Sequence, residues 1–377
     1  MTTASREQTV PAERESTSRR TASIVEISSY PPPRAGWGVR VEHVRRRVRE
    51  MGHTCEVLNV GKSRKVKSPE YEDVQSGFDY VRKVARYLRR GFLLHLHMNG
   101  DSPKGFLLTL LATGLSMLHG RRTVVTFHAG PEQRFFPQHK GRRWVPVIRA
   151  IFAGARTIIC NSEPVKEKIA GYGVPAERIV PIPAFSKQYL EFRSVQLPEP
   201  VESFYLRHDP VLASYVFFRP EFFIESLIDS IALLRKTRPG LGLVILGSSA
   251  GSEAIQARIR ERAIQDHVLL ADDQPHDGFL TAVTRSKIYV RTPKKDGVCS
   301  SVLEALSLRV PVVASENGTR PKGVVTFRSD DAADLARQVA HVLDNYEAIR
   351  QAIVPPELRD TVAEEAELLI RIAGGTL

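Results

Sequence analysis

The amino-acid sequence predicts an α/β protein built from two Rossmann-like, doubly wound domains, one following the other. Three observations support this. At 377 residues the chain is long for a single hydrophobic core and suits two. Short β-rich runs alternate with helical patterns along nearly its whole length, as expected of parallel sheets covered by helices on both faces. The alternation breaks at residues 191–205 (EFRSVQLPEPVESFY), where two prolines interrupt any period, and then starts again.

Taken in order, residues 1–20 are polar and charged, lack the apolar stretch of a secretory leader, and read as a disordered tail. The first domain, 21–190, offers strands at Ser23–Ser29, Thr54–Val60, Leu93–His97, Thr123–Phe127, Thr157–Cys160 and Ile179–Ile182. Helical patterns lie between them, such as Val39–Met51, where Val41, Val44, Val48 and Met51 share one face. Phe106–Leu118 is the most apolar run. It falls short of the ~20 apolar residues that span a bilayer and reads as a buried helix. Residues 191–205 read as a linker. The second domain, 206–345, offers strands at Val211–Val216, Leu243–Leu246, Val268–Leu270, Ile288–Val290 and Val310–Ala314, with helices at Phe223–Lys236 and Ile255–Ala263. Pro355–Pro356 sets off a closing helix, Val362–Ile372, within a C-terminal segment 346–377. Sheets of this type bind ligands at the carboxyl ends of their strands.

Composition narrows the function classes. Cys55, Cys160 and Cys299 are scattered, with no metal or redox spacing, which suits reduced thiols in the cytoplasm. The formal charge of +12 is unevenly spread: residues 1–190 hold 32 Lys and Arg against 16 Asp and Glu, and the remainder hold 22 against 26. A basic first half implies an anionic partner there: a membrane surface, a nucleic acid or a phosphorylated acceptor. Arg40, Arg45, Arg46, Arg47 and Arg49 form one basic cluster, Arg82, Lys83, Arg86, Arg89 and Arg90 a second, and Lys140, Arg142 and Arg143 a third. These segments lack the interleaved aromatics of a single-strand platform, so no nucleic-acid partner is expected.

The most informative segment is Lys294–Ser315, KKDGVCSSVLEALSLRVPVVAS. It reads as a turn, a helix starting near Ser300 and a buried strand. The backbone amides of Val298, Cys299, Ser300 and Ser301 would open at the helix N-terminus, where amides and dipole favour a phosphate. Asp296 before the helix could accept from sugar hydroxyls, and Glu304 one turn into it could accept from a ribose diol. A purely structural reading stands beside this one. Ser301 and Glu304 also match a capping box, and Asp296–Gly297 a common turn.

The segment resembles the signature of the retaining GT-B glycosyltransferases of the family-four type. That pattern is an acid, glycine, six residues, Glu-Ala, then a Pro-Val-Val-Ala strand; here it falls on Asp296, Gly297, Glu304, Ala305 and Pro311–Ala314. The resemblance implies the two-domain GT-B fold, with the Rossmann-like halves facing each other across a cleft. It also implies a nucleoside diphosphate sugar as donor, no cofactor, and no required metal. By resemblance Asp296 contacts the donor sugar and Glu304 the ribose. YPPPRAGWGVRVEHVRRR is similar to the family's first strand, glycine loop and helix, which places Gly36 and Gly38 beside the donor. RRTVVTFHAG is similar to the strand ending in a histidine that approaches the donor sugar, here His128. VFFRPEFF carries Arg219 where the family has a cation for the diphosphate, and Gly247 matches the glycine after the next strand. The family's second cation, a Lys, has no counterpart before Lys236; Arg320 is the favoured replacement, with Lys294 and Lys295 as alternatives.

The implied acceptor is a glycan or lipid-linked glycan, reached from the cytoplasm at the inner face of a membrane. The alternatives are a non-catalytic or hydrolytic nucleotide-sugar-binding relative and a sugar-nucleotide epimerase on the same fold. His95 and His97 share a strand face by period two, as a metal pair would. No third ligand is evident, and a similar His-rich strand occurs in the family without metal, so the metal reading is rejected.

Overall fold

The computed structural model describes residues 20–31, 37–128, 130, 132–247, 251–293, 299–318 and 320–376. Asp296 and Val298, with Lys294, Lys295, Gly297 and Gly36, lie outside the described residues.

The first half alternates β1 (Ser23–Ser28), α1 (Trp37–Glu50), β2 (Thr54–Asn59), α2 (Gly77–Arg89), β3 (Leu93–Met98), α3 (Pro103–Leu118), β4 (Thr123–Phe127), α4 (Val145–Gly154), β5 (Ala155–Cys160), α5 (Glu163–Ala170) and β6 (Ile179–Pro181). Its strands form one parallel sheet in the order β2-β1-β3-β4-β5-β6. Side chains local in sequence start two of these helices: the Ser76 hydroxyl accepts from the Asp79 amide at α2, and Ser102 from Gly105 at α3, where Pro103 fits the first turn.

The second half runs α6 (Glu199–Arg207), β7 (Val211–Tyr215), α7 (Ile224–Leu234), β8 (Gly242–Leu246), α8 (Glu253–Glu261), β9 (Val268–Leu270), α9 (His276–Arg285), β10 (Ile288–Arg291), α10 (Ser300–Ser307), β11 (Val312–Ser315), β12 (Val324–Phe327), α11 (Ala332–Asp344), α12 (Tyr346–Ala352) and α13 (Thr361–Ile372). Its parallel sheet has the order β12-β11-β10-β7-β8-β9, reversing direction at β7 and β10. Both sheets are buried on both faces, each by two apolar clusters. For that reason their strands read as unbroken apolar runs rather than alternating ones.

Three details differ from the sequence reading. Residues 199–205 of the expected linker belong to helix α6, because Pro200 sits in its first turn, where a missing N–H costs nothing. The apolar helix α3 is not fully buried. Phe106, Thr109, Ala112, Thr113 and Ser116 face inward, while Leu107, Leu111, Met117 and Leu118 are exposed. The short strand β12 was not expected.

The last helix returns to the first sheet. Val362, Ala366, Leu369 and Ile370 of α13 pack in one cluster with Ala22, Ile24, Val44 and Val48. Arg40, buried in α1, donates to Glu365 Oε2 at 2.7 Å, to Thr361 Oγ1 and its carbonyl at 2.8 Å each, and to the Ala184 carbonyl at 3.1 Å. The chain therefore crosses between the halves twice, and the crossings are bonded together: Gln188 Nε2 donates to Asp360 Oδ1 at 2.6 Å, and Lys187 Nζ lies 3.0 Å from Asp360 Oδ2.

Candidate active site

The carboxyl ends of β1, β3 and β4 form the first wall. Gly38 opens α1 so close to β1 that a Cβ there would lie 3.3 Å from the Ser29 carbonyl oxygen. Beside it the Trp37 indole donates to Ser29 Oγ, and its ring lies 4.6 Å from that of His128, just past β4.

Behind His128 runs a chain of buried polar groups. His128 Nε2 lies 2.8 Å from His97 Nδ1, and His97 Nε2 lies 2.7 Å from Glu26 Oε2. His95 Nδ1 lies 2.7 Å from the same oxygen, while His95 Nε2 reaches Thr126 Oγ1 at 2.7 Å. Glu26 is thus a third group beside the His95–His97 pair, one that was not evident from the sequence. The 2.7 Å separation of His97 Nε2 and Glu26 Oε2 is that of a hydrogen bond, and His95 Nδ1 lies equally near the same oxygen as an ion-pair partner. Burial pushes the Glu26 carboxyl up, but the charge of His95 and hydrogen bonds from both imidazoles outweigh it and hold it at about 2. Burial lowers His95, yet the facing Glu26 raises it overall. His97 is held below its ordinary value by burial and then by His95. His128 is held well below by burial and then by His97.

These protonation states fix the tautomers. Ionised Glu26 can only accept, so neutral His97 places its proton on Nε2 and keeps a lone pair on Nδ1. That lone pair requires a proton on His128 Nε2. Neutral His128 therefore carries its own lone pair on Nδ1, as an acceptor for a hydroxyl.

The second wall comes from the other sheet. Arg219 follows β7 with its side chain about half exposed, 5.6 Å over the Phe217 ring and 4.0 Å from Glu221. Gly247 after β8 has φ +125, and a Cβ there would meet the Val216 carbonyl oxygen at 2.3 Å, so only glycine lets these strand ends close up. Cys299, Ser300 and Ser301 begin α10, as the sequence predicts; Ser301 Oγ accepts from the Tyr289 hydroxyl at 2.7 Å. Glu304 is buried, and its Oε1 lies 3.0 Å from His276 Nε2 at the start of α9. Among the described residues its hydrogen bond is to His276, and the capping-box bond to the Ser301 amide is not made.

Arg320 is held by strand ends. Its Nε donates to the Ser315 carbonyl at 2.8 Å, and one Nη to the Pro293 carbonyl at 2.9 Å and to Ser315 Oγ at 3.0 Å. Arg291, which sequence reasoning passed over, is buried at the end of β10 and donates to the Tyr215 carbonyl at 2.8 Å. His276 and Glu26 were also missed. A carboxylate inside the apolar run SIVEIS was the available signal for Glu26, and His276 gave none.

Two of the three basic clusters of the first half are largely neutralised. Arg40 pairs with Glu365, Arg45 with Glu70, Arg82 and Lys83 with Asp79, and Arg86 with Glu72. Among the described residues no helix is long and apolar enough to cross a membrane.

Known proteins share this architecture. A glycosyltransferase from Rickettsia africae superposes with a TM-score of 0.68 at 14% identity, over 94% of this chain and all of that one. Anabaena HepE in complex with UDP gives 0.64 at 13%, over 93% and 97%. The fold defines the class: a two-domain, Rossmann-like GT-B protein. Sequence matches then assign the family. The model described as Glycosyltransferase Family 4 matches residues 35–185, and that described as Glycosyl transferases group 1 matches 207–366. The alpha-D-kanosaminyltransferase of Streptomyces kanamyceticus is 22% identical over 312 residues, 76% of this chain and 75% of that one. The chain belongs to the GT-B glycosyltransferases of the family-four type.

Proposed function

We propose that the protein transfers a glycosyl group from a nucleoside diphosphate sugar to a hydroxyl of a glycan or lipid-linked glycan, with retention of configuration. The observation that carries this reading is Glu304, a buried carboxylate one turn into α10, held by His276 and not spent on its own helix cap. Its Oε2 remains available to a ribose diol, and the amides at the start of α10 to the diphosphate.

In the transfer the C1–O bond to the diphosphate breaks and its electron pair leaves on the phosphate oxygen. The acceptor oxygen bonds C1 from the same face and passes its proton to the departing phosphate. Arg219, the amides at the start of α10 and, by the resemblance, that of Val298 stabilise the charge that develops there. Asp296 and the Nδ1 lone pair of His128 accept from hydroxyls of the transferred sugar and hold it for attack. Gly36, Gly38 and Gly247 let backbone approach the donor. The reading requires no metal. The basic first domain supports an acceptor presented at an anionic membrane surface on the cytoplasmic side.

The test is a thermal-shift screen across UDP-, GDP-, ADP- and TDP-sugars, since a bound donor raises Tm as its concentration exceeds Kd. One sugar nucleotide should stabilise the protein saturably and lose its nucleotide on incubation with acceptor. A screen in which none stabilises it overturns the reading. The absence of a Lys between Arg219 and Lys236 favours a second reading, a non-catalytic binder. In that case the donor would bind without being consumed by transfer or hydrolysis.

A further inference from the structure

At the opposite end of the first sheet from His128 lies a cavity of about 540 Å³ that the transfer reaction does not use. It sits where β3, β4 and β5 begin, between the C-terminal ends of α3 and α13, and Arg121, Arg122 and Arg156 line it. Among the described residues, none of the three is ion-paired with a carboxylate. Arg121 donates to the Gly91 carbonyl at 2.5 Å and Arg156 to the Ile372 carbonyl at 3.4 Å, which leaves most N–H donors of the three forks unused.

A fourth cation adds to the local charge. Arg178 is bound to the carbonyls of Phe152, Ala153 and Ala155, and is held below its ordinary value by burial and then by the charge of Arg122. Positive charges gathered around a concavity repel one another, and an anion between them turns that cost into attraction. The cavity also contains a polar group without a partner. Ser116 is wholly buried, lines the cavity, and its Oγ makes no hydrogen bond. A buried hydroxyl left in that state is destabilising, and a phosphate oxygen would satisfy it.

We propose that this cavity binds a phosphate group, held by the guanidinium forks of Arg121, Arg122 and Arg156 and by the Ser116 hydroxyl. Planar forks match tetrahedral oxyanions in pairs, which a scatter of lysines would not do. The group can be carried by a soluble molecule or by a lipid headgroup. Leu107, Leu111, Met117 and Leu118, exposed along α3 beside the cavity, make the lipid a source worth a separate arm.

In the first arm inorganic phosphate is titrated into the full chain by calorimetry. The double variant Arg122→Gln/Arg156→Gln should bind at least tenfold more weakly than wild type. Ser116→Ala should fall between the two, and Arg207→Gln/Arg260→Gln, which removes equal charge from exposed positions of the second half, should match wild type. In the second arm the protein is sedimented with phosphatidylcholine vesicles with and without phosphatidylglycerol. Selective binding to the anionic vesicles that is lost in the cavity double variant assigns the phosphate to a lipid. Phosphate binding without vesicle binding assigns it to a soluble ligand. The proposal is overturned if neither probe binds, or if the cavity and the Arg207/Arg260 variants lose binding equally. Donor affinity, measured on the same variants, should be unchanged, so a failure here is distinguishable from a failure of the transfer reading.

Discussion

Two carboxylates, both buried, make opposite predictions when neutralised. Glu304 has a single described partner, His276, and is available to a nucleotide. Glu304→Ala should weaken binding of the donor nucleotide by about 1.5–3 kcal/mol, the worth of charged hydrogen bonds, with a smaller change in Tm. Calorimetric titration of the folded variant checks this, and unchanged affinity would return Glu304 to a structural role. Glu26 instead sets the protons of His97 and His128. In Glu26→Gln the reason for a proton on His97 Nε2 weakens, so His128 should lose its fixed tautomer. The ¹⁵N resonance of His128 Nδ1 should then shift from pyridine-like toward pyrrole-like, with kcat falling more than KM rises. The same cluster sets an acid limit on stability. His97 and His128, lowered from about 6.5, take up protons mainly in the unfolded chain, so stability should decline as pH falls below 6.5. Glu26, lowered from 4.5 to about 2, adds a second loss as pH falls through that window. His95, raised, has the opposite sign: its contribution is complete below 6.5 and fades as pH rises past its folded value. Denaturant unfolding from pH 8 to 4 should show the first decline, and His128→Gln should flatten it. Of these residues, motif position alone pointed to Glu304 and His128. The partners that set their state come from other strands and helices, and no local pattern reveals such pairings.

Among the elements, strands were the most legible, because burial on both faces makes each an apolar run that stands out from its surroundings. β12 escaped because four residues, VVTF, after a proline and a glycine give too short a run. α6 escaped because proline, read as a breaker, was serving as a helix start. The arginines of α1 misled for a different reason: periodicity shows that they cluster but not that Glu365, far along the chain, neutralises one of them inside the protein. That pairing can be tested. Glu365→Ala leaves Arg40 as a buried cation without its carboxylate and should cost about 3–5 kcal/mol, by denaturant unfolding. Replacing both partners with apolar residues should recover much of the loss; if it does not, the pair is doing more than cancelling charge. Gly247→Ala offers a second test. The added methyl would drive into the Val216 carbonyl at an unfavourable φ, so both stability and donor affinity should drop.

For the whole molecule, the two halves are joined by two crossings that are bonded to each other. Asp360 caps α13 through the Ala363 amide at 2.9 Å while also holding Gln188 and Lys187 of the other crossing. Asp360→Ala should therefore lower stability by ~1 kcal/mol as a lost cap and, in addition, change kcat and KM together, as hinge variants do. Steady-state kinetics beside thermal unfolding separates the two effects, and a change in stability alone would make the crossing a passive strap. The return of α13 also bears on how the chain acquires its shape during synthesis. The ribosome releases the whole first sheet early, with Ile24, Val44 and Val48 still lacking the helix that covers them. Until residues 361–372 emerge, Arg40 waits without Glu365, and an apolar face of the nascent first half stays open to solvent and to chaperones. The half made first is thus the last to be finished, and the second can complete its core while the first is still waiting.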